Sequence, residues 1–488
     1  MRFLPLLASL MLLANALHAA PNVLLICVDD LKPAIGSYGD ALASTPNIDR
    51  LAKRGLLFER AYCNQAVCAP SRNALLTGLR PQTLGIYDLG TNFRAAVPDI
   101  VTLPQMFKAH GYHVEGLGKI FHIGHGNHDD ALSLSVPFWK SNVVGYALPE
   151  SRAKQGLTRE EALFSNQSPQ GLPRGAAYEA ADVPDNAYAD GALADEAIRR
   201  LQGAATRESP FFLAVGFVKP HLPFCAPKKY WDRFDPAKFA LAERQTPPEG
   251  APGYAPQSSG ELRQYQDMPE QGPIPADVQR TLIHGYYAAA SYMDAQLGRV
   301  LDELDRLKLS EQTIVVFWGD HGWHLGDHGM FCKHTNYEQA ARIPLIMVAP
   351  GVSQPGTRTQ SLTESVDVFP TLRELAGLKN LDQPADGQSL VPVLRDPTKM
   401  LKDAVFHAYP RSPMGQGPVV GRAVRTARHR LVEWKRPGEP AETADLELYD
   451  YETDPAETRN LANEQPQTVA ALRTILSCLP EAKPQIRP

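Results

Sequence analysis

The run Cys68-Ala69-Pro70-Ser71-Arg72-Asn73-Ala74-Leu75-Leu76-Thr77-Gly78 puts a thiol beside a predicted helix start. Proline is tolerated in a helix's first turn, where its missing N–H has no intrahelical partner. Pro70 therefore suits the start, residues 73–79 can continue it, and Gly78 loosens the far end. Residue 68 then meets the positive end of the helix dipole, with Arg72 on the first turn, where an anion is welcome. At the level of residues, Cys68 reads as a free buried thiol, as half of a disulfide with Cys63, or as the seat of a nucleophile. A cysteine attacking directly needs a general base, and the run signals none.

Carboxylates and cations occur at comparable places. Asp29-Asp30 follows an apolar run, and Asp320 stands in Gly319-Asp320-His321-Gly322. One Asp pair alone is ordinarily a helix cap or a solvated group. Three carboxylates brought together repel one another unless a cation joins them, so a divalent ion is implied. Oxygen donors favour Ca²⁺, with Mg²⁺ second, over zinc. Lys119 and His122 in Gly118-Lys119-Ile120-Phe121-His122, Lys219 and His221 in Lys219-Pro220-His221, and Lys333 and His334 in Phe331-Cys332-Lys333-His334 repeat a basic pattern. Any one of these is more often a surface group; together they read as an anion clamp.

The elements that must position these residues follow from the apolar runs. Residues 22–28, 112–117, 211–217, 313–318 and 344–348 are rich in Val, Ile, Leu and Phe without alternation, as in strands buried on both faces of a parallel sheet. The first four end directly in the polar residues above. Ligands of open α/β sheets bind beyond the carboxyl ends of the strands, so one crevice would collect all four groups. Helical periodicity at 47–55, 103–110, 190–202 and 277–307 completes the α/β alternation of a doubly wound fold. The stretch 246–275, crowded with Pro, Gly, Ser and Gln, reads as a long surface loop, either lining the mouth of the site or a passive excursion. Residues 413–418 read as a linker, 419–434 as half-buried antiparallel strands and 465–479 as a terminal helix. The division is then a signal peptide at 1–20, a catalytic domain at 21–412 and a small α+β subdomain at 413–488.

With 488 residues and a net charge of −5, the chain has a large core and no basic footprint for nucleic acid. Arg2 followed by an apolar run closing on His18-Ala19-Ala20 has the form of a secretory signal peptide. It is too short for a membrane span, and no later run reaches bilayer length. Six cysteines are too few for a disulfide scaffold, though one or two bridges remain open. Asn166-Gln167-Ser168 is the single N-glycosylation acceptor, which for an exported chain points to a bacterial periplasmic or secreted enzyme.

The eleven residues from Cys68 match every position of C-x-P-S-R-x-x-L-x-T-G, and the chain resembles the type I sulfatases over most of its length. The resemblance implies an alkaline-phosphatase-like α/β fold: a large, mostly parallel sheet flanked by helices. It implies conversion of Cys68 to Cα-formylglycine by a formylglycine-generating enzyme. It assigns Ca²⁺ to Asp29, Asp30, residue 68 and Asp320, with His321 at the next metal position, where His is an unusual donor for calcium. Lys119, His122, His221 and Lys333, with Arg72, become sulfate contacts or proton carriers. The implied reaction is hydrolysis of a sulfate monoester on a sulfated oligosaccharide. One hydroxyl of the aldehyde hydrate attacks sulfur, His221 or Lys333 protonates the leaving alcohol, and His122 helps the sulfo-enzyme intermediate to collapse.

Within that family, the segments 22–39, 65–72, 118–122 and 320–326 resemble the iduronate-2-sulfatases, which implies exo-acting removal of a 2-O-sulfate from a uronic acid. Lys219, His324 and His334 are then available for the sugar carboxylate. Two competing functions remain: a formylglycine-dependent phosphonate or phosphate monoester hydrolase, and a non-catalytic polysaccharide-binding protein.

Overall fold

The computed structural model describes residues 20–142, 145–152, 157–379, 383–415 and 417–487. All but Ala20 of the expected signal peptide lies outside them. Eight strands build one sheet: β1 Asn22–Val28, β2 Leu56–Tyr62, β3 His113–Gly118, β4 Phe211–Phe217, β5 Thr313–Gly319, β6 Arg342–Val348, β7 Thr357–Thr359 and β8 Thr363–Glu364. Their order is β7-β2-β6-β5-β1-β4-β3, with β8 also on β2.

The centre is parallel, as expected: β1 pairs with β4 and β5, and β3 pairs with β4. Strand β6 departs from the expectation and runs antiparallel to both β5 and β2. Between β5 and β6 the longest helix is the short Glu338–Ala341, so no crossover helix carries the chain back to the start of the sheet. Strand β2 was not legible as an apolar run because Glu59 and Arg60 interrupt it.

The pleat divides the core into two layers. Val23, Leu25 and Cys27 face a layer that includes Leu75 and Leu76 of the helix Cys68–Thr77 and Met106 and Phe107 of the helix Leu103–Ala109. Leu24, Ile26 and Val28 face the other, with Met293, Leu297 and Val300 of the helix Ala276–Arg306 and Ala197 and Leu201 of the helix Ala189–Ala204. Fully buried strands with apolar residues on both faces are what sandwiching between helices requires.

A second, antiparallel sheet follows: β9 Ala404–Arg411, β10 Val419–Thr426, β11 His429–Lys435 and β12 Asp445–Asp450, in that order. It opens at Ala404, ahead of the boundary expected at 413. The stretch expected as a linker is the β9–β10 connection inside this sheet, because Ala404 to Arg411 pair residue by residue with Thr426 to Val419. The helix Pro466–Leu476 lays Val469, Leu472 and Leu476 on Val424, Leu431 and Leu448. Beyond it the chain returns to the main domain, where Lys483 N donates to Gln82 O and Ile486 N to Gly85 O. All six cysteines are free, so none of the open disulfide pairings forms.

Candidate active site

The register of the parallel strands builds the site. Val28 lies opposite Gly319 and Phe217, and Gly118 lies opposite Gly216, so the strands end in line. One more hydrogen bond follows each end: Asp29 N to Phe217 O at 3.2 Å, Asp320 N to Val28 O at 3.0 Å and Lys119 N to Gly216 O at 2.8 Å. Asp29, Asp30, Asp320 and Lys119 are thereby fixed at one edge. Gly118 has φ 72°, and a Cβ on either Gly118 or Gly216 would strike the other segment's backbone. The two glycines let the chains pass closely enough to bring Lys119 inward.

The helix Cys68–Thr77 starts at Cys68 and stops at Gly78 in the left-handed conformation, φ 69°. Cys68 Sγ lies 3.5 Å from His321 Nε2 and 3.8 Å from Lys119 Nζ. Burial, with Asp29 adding to it, raises the thiol pKa well above its ordinary value. An unmodified Cys68 is therefore protonated and a poor nucleophile.

Ligand atoms of Asp29, Asp30, Cys68 and His321 all lie within 4.8 Å of one another. Asp30 Oδ1 is buried and accepts no hydrogen bond, and Asp29 Oδ2 meets only the Lys119 ammonium. His321 Nδ1 faces Gly322 O at 3.1 Å, a partner that can only accept. His321 therefore carries its proton on Nδ1 and turns the Nε2 lone pair towards Asp30 Oδ1, 3.3 Å away. Burial raises the Asp30 carboxyl well above the usual range, against Lys333. It raises Asp320 to about 8, with Asp29 adding to it. Burial opposes ionisation of Asp29 too, yet Lys119 and Arg72 hold that carboxyl low. This buried donor set of carboxylate oxygens and an imidazole lone pair, with Asp30 Oδ1 accepting no hydrogen bond, fits a divalent cation.

Asp320 is differently placed. Its Oδ1 accepts from the backbone N–H of Asp30 at 3.0 Å and of His321 at 2.9 Å, and its Oδ2 accepts from Arg72. Arg72, expected against the sulfate, is fully buried and does not line the cavity. Its Nε binds Asp320, its Nη2 binds Asp29 at 3.1 Å, and its Nη1 donates to Lys119 O. It braces the carboxylates from behind.

The cavity above residue 68 encloses about 290 Å³. Cys68, His122, His221 and Lys333 line its inner end, and Glu160, Leu163, Phe164, Glu261, Gln264 and His334 its walls. Lys119 joins from the side, ion-paired with Asp29 and with Nζ 5.2 Å from the centre of the Phe164 ring. Burial, with Lys119 next, lowers the pKa values of His122 and His221 well below the ordinary range, so both are neutral. Burial works against Lys333, but Asp30 and Glu261 raise it and keep it protonated.

Two groups expected to meet a sugar carboxylate do not reach the cavity. Lys219 Nζ donates to His221 O at 2.9 Å and to Pro223 O, which ties down its own loop. His324 is buried against Thr335 Oγ1 at 2.9 Å. His334 does line the cavity. The residues missed by the sequence reading are His125, Glu160, Phe164 and Glu261. A second histidine three places after His122 was a usable signal for His125, whose Nδ1 lies 3.1 Å from His122 Nε2. The aperiodic stretch that brings Glu261 gave none.

Fold and site together define a hydrolase of alkaline-phosphatase-like architecture. The family model "Sulfatase" matches residues 21–378, and the model of the N-sulphoglucosamine sulphohydrolase C-terminal region matches 326–481. The chain belongs to the sulfatase family and is a sulfuric ester hydrolase. Human iduronate 2-sulfatase is 34% identical, with 92% of each chain covered, and a sulfatase of Formosa agariphila is 32% identical, covering 91% of this chain and 83% of that one. Among solved structures, a protein complexed with its substrate D-glucosamine-2-N,6-O-disulfate superposes with TM-score 0.73 at 22% identity, over 94% of this chain and 97% of the other. A phosphonate monoester hydrolase of Agrobacterium radiobacter gives 0.71 at 22% identity, over 94% and 95%. Sulfatases of this family use a formylglycine and a divalent metal.

Proposed function

We propose that this protein is an exported, exo-acting glycan sulfatase that removes a 2-O-sulfate from a uronic acid at the non-reducing end. The observation that carries the reading is the complete eleven-residue cysteine motif at a helix start, with Asp29, Asp30 and His321 around its side chain. The similarity to iduronate 2-sulfatase, extending over 92% of both chains, supports the uronate. The cavity of about 290 Å³ has room for one sulfated sugar ring. Residues 1–20 support export to the periplasm or the medium.

Asp29, Asp30 and His321, with residue 68 and Asp320, would hold Ca²⁺, which when bound supplies positive charge to the sulfate oxygens and acidifies the nucleophile. Formylglycine formed from Cys68 would supply, as its hydrate, one hydroxyl as the nucleophile towards sulfur and a second for the release of sulfate. Lys119 and Lys333 meet the sulfate charge, and Phe164 and Leu163 exclude water from the walls. Lys333, protonated and lining the cavity, gives its proton to the leaving alcohol. His221 Nε2, 3.5 Å from Lys333 Nζ, is placed to pass it on. His122 is neutral and its Nδ1 is unpartnered, so it can accept the proton released when sulfate leaves.

Sulfate release from 2-O- and 6-O-sulfated disaccharides tests the proposal. Release from the 2-O-sulfated uronate is expected; release from the 6-O-sulfated sugar alone would remove the uronate and keep the sulfatase. A second reading, phosphonate monoester hydrolysis, is favoured only by the structural likeness to such an enzyme at 22% identity. Rates on an aryl sulfate and the matched aryl phosphonate separate the two.

A further inference from the structure

Segment 246–275 delivers one ionised side chain to the reacting end of the cavity. Glu261 precedes the short turn Leu262–Gln264 and touches both site residues that handle the proton. Its Oε1 and Oε2 lie 2.9 and 2.7 Å from Lys333 Nζ, and Oε1 lies 3.3 Å from His221 Nε2. Lys333 is almost wholly covered at 2% side-chain exposure, whereas Glu261 keeps 18% and lines the cavity. Ligand atoms of Glu261, His221 and Asp30 lie within 4.8 Å of one another, and Asp30 lies within the same distance of Cys68 Sγ. Glu261 thus stands one side chain away from the reacting position, on the cavity side of Lys333.

A carboxylate offers about four acceptor positions, and Lys333 can fill only part of them. What remains faces the cavity, where a sugar hydroxyl is the donor of matching size. Glu160, on the short helix Arg159–Phe164, lines the cavity too, and burial with the neighbouring Glu261 charge raises its carboxyl to about 7. Among the described residues that line this cavity, His125 and His334 are the histidines beyond the reacting end, and burial holds both below their ordinary pKa. Beside Glu261 the open acceptor positions therefore welcome a donor, and a sulfate ester, which has no hydrogen to donate, would meet the carboxylate oxygens there.

We propose that Glu261 is a specificity-determining residue: it accepts a hydrogen bond from the sugar hydroxyl on the carbon next to the sulfated one, and its charge excludes substrates in which that hydroxyl is itself sulfated. The proposal rests on the sulfatase reading and adds the group that the enzyme recognises beside its sulfate ester. A site built to bond a hydroxyl discriminates strongly against analogues lacking it, and a fixed like charge adds repulsion against the disulfate.

The test compares kcat/KM for a sugar monosulfate with a free vicinal hydroxyl, its vicinal deoxy analogue and the vicinal disulfate, with p-nitrophenyl sulfate as the control for sulfatase activity. The wild-type enzyme should favour the hydroxyl-bearing monosulfate over both analogues by about 100-fold or more. In Glu261→Gln the preference over the disulfate should fall by about 10-fold or more, whatever uniform loss of rate accompanies the change at Lys333. Glu261→Asp, which restores the charge, should recover most of the lost discrimination. Equal wild-type rates on the three sugars, or ratios unchanged in Glu261→Gln, would overturn the proposal. Should Glu261→Gln fail to fold, Glu261→Ala takes its place, with the same expected fall in preference and the same overturning result. Absence of turnover on every sulfate, the aryl control included, would instead remove the sulfatase reading beneath it.

Discussion

Arg72 meets Asp320 through two donors on one oxygen, Nε at 3.0 Å and Nη2 at 2.8 Å from Oδ2. The same guanidinium spans to Asp29, so a single side chain ties together the ends of β1 and β5. This makes Arg72 part of the frame as much as of the chemistry. Removing one partner of a buried ion pair leaves an uncompensated charge and costs about 3–5 kcal/mol. Arg72→Ala should lower stability by that amount in chemical denaturation and abolish turnover. A side chain serving only as a sulfate contact would lose activity with its stability unchanged.

Gly216 tests the close approach that aims Lys119. A methyl group there meets the Lys119 backbone, which cannot yield without moving the side chain that reaches Asp29. Gly216→Ala should cost about 1–3 kcal/mol by overpacking and reduce turnover. Gly253→Ala, at an exposed glycine outside the left-handed region with open space around its Cβ position, provides the comparison and should leave turnover near wild type.

Stability should fall on mild acidification. His324 and His407 are buried, and burial holds both below the ordinary histidine pKa. In the unfolded chain they titrate near about 6.5. Below that pH the unfolded state binds protons that the folded state refuses, so their contribution is intact above about 6.5 and is lost as the pH falls through it. The loss is at most about 1.4 kcal/mol per pH unit for each histidine. Denaturation curves between pH 7.5 and 5.5 measure the slope, and His407→Gln, keeping a donor for Asn336 Oδ1, should flatten it.

The site was legible where chemistry coincides with the end of an apolar run. Asp29, Asp30, Lys119, His221 and Asp320 all stand there, because a parallel centre must present its strand ends together. His122 and Lys333 were legible because the basic pattern repeats. Strand direction was less legible: nothing in the composition of residues 344–348 says that β6 runs backwards, since that is settled by the absence of a crossover helix. The outward limit of Arg72 was hidden as well. Its motif position announces function, but only the register of β1 against β5 shows both oxygen partners behind it. Glu261 could not be foreseen, because an aperiodic segment reveals neither its path nor which of its residues turns inward.

Removal of divalent cations should silence the enzyme reversibly. Asp30 Oδ1 accepts no hydrogen bond and Asp29 Oδ2 meets only Lys119, so an ion held between them adds to the stability of the folded state. Chelation should lower the melting temperature and turnover together, and Ca²⁺ should restore both. Asp30→Asn should cut turnover by about 10²-fold or more and weaken the Ca²⁺ dependence of the melting temperature.

The account turns on the chemical nature of residue 68. Mass spectrometry of the tryptic peptide 61–72, taken from a preparation whose sulfate release has just been measured, reads it directly. The account predicts the aldehyde or its hydrate in place of the thiol, in proportion to specific activity across preparations. A fully active preparation carrying only the unmodified cysteine would contradict it.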